Sequence, residues 1–186
     1  MYVVCSTSPL GASPVKFNVA QLLKSAAGDS REYDVHEDIT GIDNDLDVTQ
    51  PLVGKVKFIR TASGILVTGR FSTVVRMSCR RCWELVDVPI EIDLEEEFRP
   101  SVDILTGAVM APREGEDAAT RIDGHHILDV AEVVRQSLWL AMPVSSLCSP
   151  HCRGLCPHCG ANLNEGPCGC QHEEGDPRLA ALRELL

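Results

Sequence analysis

Between residues 53 and 79 apolar and polar residues alternate almost without interruption, in VGKVKFIRTASGILVTGRFSTVVRMSC, on both sides of Ser63-Gly64. A period of two sends alternate side chains to opposite faces of a strand, and Ser-Gly between two such runs signals a turn. The pattern therefore predicts a long antiparallel hairpin. A third alternating run, ELVDVPIEIDLEEEF over residues 84–98, predicts a strand beside it, and REYDVHEDI over 31–39 predicts another. The acidic GIDNDLDVTQP that follows residue 40 reads as a loop.

Helical spacing occurs in two places. Asn18 stands as a cap before VAQLLKSAAG, with Gly28 as its stop. Asp129 stands as an N-cap before VAEVVRQSLWLAMP, where Val130, Val133, Val134 and Leu138 share one face and Pro143 follows the end. This second segment predicts a helix packed on the sheet. Residues 99–120 read as a flexible surface loop, residues 1–14 as a loose arm, and DPRLAALRELL (176–186) as a short terminal helix.

Composition changes this picture little. Hydrophobic residues make up 44% of the 186 and charged ones 24%, as in ordinary globular proteins. Aromatics at 4% leave the core to Val, Leu and Ile. No apolar run approaches the roughly 18 residues of a membrane span. MYVVCSTSPLGASP has neither a basic n-region nor an apolar h-region of secretory length, so the expected compartment is the cytoplasm.

Cysteine usage changes it more. There are nine cysteines, an odd number, and in a reducing compartment metal ligation is favoured over disulfides. Six fall in CSPHCRGLCPHCGANLNEGPCGC, residues 148–170. Cys156-Pro-His-Cys159-Gly160 has zinc-knuckle spacing: two intervening residues let a tight turn present both sulfurs to one ion. Cys168 and Cys170 supply a second pair, which closes a four-thiolate site with no open position for a substrate. Cys148 and Cys152 remain, together with the earlier pair Cys79-Arg80-Arg81-Cys82. One reading gives these four a second ion that clamps the helix exit to the sheet, with Cys5 left over. The other places Cys148 and Cys152 in the knuckle site and leaves Cys79 and Cys82 as free or buried thiols. His151 and His158 lie among the thiolates as substitute ligands or bystanders. The cofactor expected is zinc, as one or two structural ions.

The fold class that follows is α+β: an antiparallel β-sheet (meander or open barrel) with a packed helix and a C-terminal zinc knuckle. The expected boundaries are a core domain over 1–145, a Cys-rich segment over 146–172 and a tail over 173–186.

The formal net charge of −10 is unevenly distributed. Residues 54–82 carry Lys55, Lys57, Arg60, Arg70, Arg76, Arg80 and Arg81 with no acid, a net +7 that leaves −17 for the rest. Residues 84–97 carry seven acids and no base. The basic hairpin is a candidate face for phosphate. Alternatively, basic and acidic strands pair within the sheet. Arg80 and Arg81 either offset thiolate charge or face solvent. Catalysis is not expected: Glu95, Glu96 and Glu97 alternate across a strand and cannot converge on one ion, and no P-loop or nucleophile elbow occurs.

Cys79-Arg-Arg-Cys82 after a hairpin, the Asp129-Val helix leading to Leu140-Ala-Met-Pro143, and Cys152-Arg-Gly-Leu-Cys156-Pro-His-Cys159-Gly-Ala-Asn-Leu-Asn164 together resemble the YceD family of large ribosomal RNA subunit accumulation proteins. The resemblance extends over most of residues 50–170. It implies a non-enzymatic role in accumulation or processing of large-subunit (23S) ribosomal RNA and in ribosome assembly. The implied partner is precursor RNA or a ribosomal protein, with no membrane and no small-molecule substrate. A redox- or zinc-responsive interaction protein is the alternative.

Overall fold

The alternating residues from 52 to 100 form the middle of a mixed sheet. The computed structural model describes residues 15–170. In chain order the strands are β1 (Lys16–Asn18), β2 (Ser30–Glu37), β3 (Asp47–Val48), β4 (Leu52–Arg60), β5 (Ile65–Ser78), β6 (Leu85–Pro100), β7 (Arg121–Ile122) and β8 (Ile127–Asp129). The helices are α1 (Ala20–Leu23) and α2 (Ala131–Ala141). The fold is α+β. The chain divides into two compact units, one holding the described residues 15–77 and 87–144, the other 78–86 and 145–170. The nine residues 78–86, which a boundary after residue 145 leaves with the sheet, thus belong with the Cys-rich segment.

In the first unit the sheet order is β2-β4-β5-β6-β7, with β3 also paired to β5. β2–β4 and β4–β5 are antiparallel, with Tyr33 opposite Val56 and Phe58 opposite Val67. The ion pairs Arg70–Asp93 and Arg76–Asp87 step in opposite directions along β5 and β6, as antiparallel neighbours do. The expectation of an antiparallel sheet fails at one edge: β7 joins β6 in parallel, Arg99 opposite Arg121. A two-residue strand is too short to show alternation, so no pattern in the chain announces it.

Alternation decides the core. Leu52, Val56 and Phe58 of β4, Val67, Phe71 and Val75 of β5, and Ile90, Ile92, Leu94 and Phe98 of β6 are buried. Gly54 occupies an inward position between Leu52 and Val56. A Cβ there would run into the Arg70 carbonyl and come within 2.8 Å of the Phe71 ring, so the missing side chain makes room for that ring. Phe58 packs edge-on against Phe17 at 4.8 Å and lies 5.3 Å from Tyr33. It is fully buried and links three strands. Phe58→Ala is expected to cost about 3–5 kcal/mol, read as a lower denaturant midpoint with an unchanged slope.

The helices follow the apolar stripe but not all the expected ends. Val130, Val133, Val134 and Leu138 are buried. The N-cap position of α2 is Val130, one residue past the expected Asp129, whose carboxylate still accepts from the Ala131 N–H at 3.0 Å. α1 stops at Leu23, short of the expected Gly28. Ser25 donates both its N–H and its hydroxyl to the Leu22 carbonyl, a tight closure that takes over where the helical ladder would continue. Residues 99–120 are not a structureless loop. Val102 bridges Val109, Asp103 accepts from Leu105 and Thr106, and a 3-10 turn forms at Ala118–Thr120. A largely buried Arg99–Glu116 pair at 3.1 Å holds the segment's end.

The acidic 41–51 connection is also fixed. Asp43 accepts from the Asp45 N–H, the Trp139 indole N–H and the Arg135 guanidinium, and these bonds lower its pKa to about 2. The stabilisation from its ionised form is complete above the ordinary value of 3.8 and is lost as pH falls toward about 2. Asp43→Asn is expected to lower Tm at neutral pH. The gap from wild type should close on acidification through that window, as thermal melts across pH would show.

Candidate metal centres

The second unit has few apolar residues, and its centre is sulfur. Cys79, Cys82, Cys148 and Cys152 present Sγ atoms all within 4.8 Å of one another. Cys156, Cys159, Cys168 and Cys170 do the same. Neither His151 nor His158 contributes to either group. Cys5 lies outside the described residues.

The first tetrad is built from two segments far apart in sequence. The Cys79 N–H donates to the Glu84 carbonyl at 2.7 Å, and the Trp83 N–H to the Cys79 carbonyl at 2.9 Å, which turns the chain between its two sulfurs. The partner segment is tied on by Arg80 N–H to Ser146 O, Leu155 N–H to Arg81 O, and the buried Ser146 hydroxyl to Ser78 O. The Arg81 guanidinium donates to the Cys152 carbonyl at 2.8 Å. Cys79, Cys82 and Cys152 are buried beneath Val86 and Leu155.

The second tetrad grows from a local turn. Cys156 N–H donates to Ala161 O at 2.8 Å and Gly160 N–H to Cys156 O at 2.9 Å, with Gly160 at φ 73°. This is the left-handed conformation that glycine adopts freely. The His158 N–H lies 3.4 Å from the Cys156 sulfur. Cys159 is exposed and Cys168 and Cys170 are half-buried, so this tetrad is the more open one.

The donor sets fit a tetrahedral ion. Four sulfurs at about 2.3 Å from one centre stand about 3.8 Å apart. The Cys79–Cys152 and Cys82–Cys148 sulfurs are 3.9 Å and 3.4 Å apart. All-sulfur ligation suits zinc or iron, and four protein ligands leave no position for a substrate. The surroundings favour thiolate at selected sulfurs. Burial pushes the Cys79 thiol up, but N–H groups of Cys148, Arg81 and Cys82 outweigh it and bring it to about 6. The Cys159 backbone N–H leads the shift that brings Cys156 to about 6. The Asn164 amide leads the lowering of Cys152. Cys148 is pushed up chiefly by Cys82, and Cys170 to about 12 chiefly by Cys159. Four like charges this close repel unless a cation lies among them.

Two asparagines have a role that ligand spacing does not reveal. Asn164 donates to the Cys152 sulfur at 3.3 Å and to Asn162 Oδ1 at 2.9 Å, and Asn162 donates to Glu84 at 3.0 Å. They carry the segment of the second tetrad back to a cysteine of the first. Such outer hydrogen bonds orient the ligands. Their place in Cys159-Gly-Ala-Asn-Leu-Asn164, directly after the knuckle, is the one sequence signal pointing to them.

The basic residues divide. Lys55 pairs with Asp34 and Lys57 with Glu32, each at 3.7 Å, while Arg70 pairs with Asp93 at 2.7 Å and Arg76 with Asp87 at 2.9 Å. Arg60 donates to the carbonyls of Leu23 and Gly64. Among the described residues Arg80 and Arg81 have no carboxylate partner.

Comparison with known proteins adds a family. The profile of the large ribosomal RNA subunit accumulation protein YceD family matches residues 67–186, a stretch that includes both tetrads. An uncharacterised protein of Mycobacterium tuberculosis is 32% identical over 125 residues, covering 67% of this chain and 57% of the relative. The chloroplastic large ribosomal RNA subunit accumulation protein YCED homolog 1 of Arabidopsis thaliana is 28% identical over 155 residues, 73% of this chain and 48% of the relative. Its Zea mays counterpart is 26% identical over 143 residues, 65% and 49%. The chain thus spans about half the length of the curated relatives it matches, and no solved structure matches it. No helix among the described residues is long and apolar enough to cross a membrane. With the profile covering well over half of its residues, the chain belongs to the YceD family of large ribosomal RNA subunit accumulation proteins.

Proposed function

We propose that this protein is a non-enzymatic, cytoplasmic factor that supports accumulation and processing of 23S ribosomal RNA during large-subunit assembly, with two structural zinc ions in its cysteine tetrads. The observation that carries the reading is the family match, which extends across both tetrads and whose description names large-subunit ribosomal RNA. The tetrads support a scaffolding role for the metal, since a closed four-sulfur site has no place for a reacting water. Of the basic set Lys55, Lys57, Arg60, Arg70, Arg76, Arg80 and Arg81, the RNA or ribosomal-protein contact falls to Arg80 and Arg81, since the others are paired with carboxylates or bonded to carbonyls. The test is co-sedimentation of the tagged protein with large-subunit precursors, together with 23S levels after depletion. No co-sedimentation at any low salt concentration, with normal 23S levels, would sink the reading.

The openness of the second tetrad favours one further reading, a redox-responsive interaction protein. Exposed Cys159, with half-buried Cys168 and Cys170, opens this tetrad to an oxidant. On that reading mild peroxide ejects one zinc quickly and changes partner affinity. Slow release with unchanged binding would reject it.

A further inference from the structure

We infer that Trp83, preceded in the same turn by Arg80 and Arg81, is a stacking platform for an unpaired nucleotide of single-stranded RNA. The inference rests on the ribosomal-RNA reading above and gives it a point of attachment.

The two Cys-x-x-Cys turns have one backbone geometry. In Cys156-Pro-His-Cys159-Gly160 the N–H of the residue after the second cysteine donates to the first cysteine's carbonyl at 2.9 Å, with φ 73°. In Cys79-Arg-Arg-Cys82-Trp83 the same bond is 2.9 Å and φ is 65°. Glycine takes this left-handed conformation without steric penalty. A bulky residue there forces its Cβ against the backbone. Nothing in the turn's own packing offsets that cost. Trp83 is 72% exposed, and the buried sulfurs beneath it are covered by Val86 and Leu155. An outlier of this kind, held in place by the Trp83 N–H to Cys79 carbonyl bond and the Cys79 N–H to Glu84 carbonyl bond, points to a use at the surface.

Charge selects the occupant. Four of the seven basic residues between 55 and 81 are neutralised by carboxylates on adjacent strands, and Arg60 is occupied by carbonyls. Arg80 and Arg81, the two without a carboxylate partner among the described residues, immediately precede Cys82 and Trp83. Arg81 gives Nη1 to Cys152 and keeps further donors, since a guanidinium carries five N–H groups. Arg80, Arg81 and Trp83 are all exposed within one four-residue stretch, and an exposed aromatic ring together with uncompensated guanidinium groups is the combination that binds single strands: a base stacks and the flanking phosphates meet the arginines. Leu85, two residues on, is also exposed.

The experiment uses the full-length, metal-loaded chain carrying Trp139→Phe, so that Trp83 is the sole tryptophan. A short single-stranded adenylate oligonucleotide is expected to quench its fluorescence on binding. With a labelled oligonucleotide, Trp83→Gly is expected to weaken affinity about five- to 150-fold, and Trp83→Phe to keep most of it. Glycine relieves the backbone, so unchanged metal content and melting will show that the loss is not misfolding. Arg80→Ala with Arg81→Ala should flatten the salt dependence by about 0.7 for each phosphate that is no longer neutralised. Wild-type affinity in Trp83→Gly, or oligonucleotide binding without quenching, would overturn the inference. Absent binding beside intact co-sedimentation with large-subunit precursors would overturn it too, and would leave the ribosomal reading standing with a protein partner. Loss of both would remove that reading as well.

Discussion

Stripping metal with a strong chelator is expected to unfold residues 78–86 and 145–170 while the sheet keeps its cooperative transition. The apolar packing of this unit amounts to little more than Val86 and Leu155 against buried sulfurs. Such a cluster cannot offset the backbone entropy of ordering about 35 residues, which costs roughly 1–2 kcal/mol for each one. Structural zinc supplies an apparent ~10–16 kcal/mol per site at neutral pH in peptide systems, several times what any single core side chain contributes. Removal also exposes the crowding that already pushes the Cys148 thiol up beside Cys82 and Cys152. Amide hydrogen exchange is the direct readout. The N–H groups of Cys79, Leu155, Cys156 and Gly160, each bonded to a carbonyl in this unit, should lose protection. Those of Val56 and Val67, in the sheet, should keep theirs. Protection unchanged at Leu155 and Gly160 after complete metal loss would show that the fold of this unit does not depend on the ion.

The sheet is legible in the sequence because its signal is local and repeated. Each of β4, β5 and β6 is long enough for alternation to show, and burial at Leu52, Val56 and Phe58 follows the apolar letters. β1, β7 and β8 have two or three residues each, and a period of two cannot be read from so few. Their existence depends on partners distant in sequence, such as Phe17 opposite Leu128. The order within residues 99–120 is hidden for a related reason. Pro, Gly and mixed charge do describe a connection, but Asp103, Glu116 and Asp117 each fix a turn by accepting from nearby N–H groups.

At the cysteines, spacing identifies the candidate ligands and leaves their grouping open between two arrangements. The positions that spacing does not supply are the ones that act at a distance in sequence. Ser146 reaches back to Ser78, and Asn164 to a sulfur twelve residues earlier. The charge count has the same weakness. A run of +7 looks like a phosphate-binding face until strand register sets Lys55 opposite Asp34 and Lys57 opposite Glu32. Composition counts charges; register decides which of them stay uncompensated. The left-handed backbone at Trp83 is visible in sequence only by analogy, as the residue standing where the second turn has Gly160.

The protein as isolated with zinc is expected to hold two equivalents per chain, and Cys79→Ser with Cys82→Ser to hold one. The two tetrads share no ligand, and their sulfurs form separate groups. Replacing two of four thiolates leaves an incomplete site with Cys148 and Cys152 alone, and hydroxyl oxygen is a poor substitute for thiolate toward a soft-accepting ion. The second site has its own local scaffold in the Cys156–Ala161 and Gly160–Cys156 bonds, which do not pass through residue 79 or 82. It should therefore fill at normal affinity in the double variant. Asn164→Ala provides the graded counterpart. It removes the amide bonded to Cys152 without removing any ligand, so stoichiometry should stay at two while affinity at the first site falls about 10–100-fold, as competition with a chromogenic chelator would measure. Elemental analysis that includes iron settles which metal is present. One equivalent in wild type, unchanged by the serine pair, would mean that the tetrad of Cys79, Cys82, Cys148 and Cys152 is a thiol cluster. Zero equivalents in the double variant would mean that the two sites load as one cooperative unit, with the Asn162 and Asn164 bonds as the physical link between them.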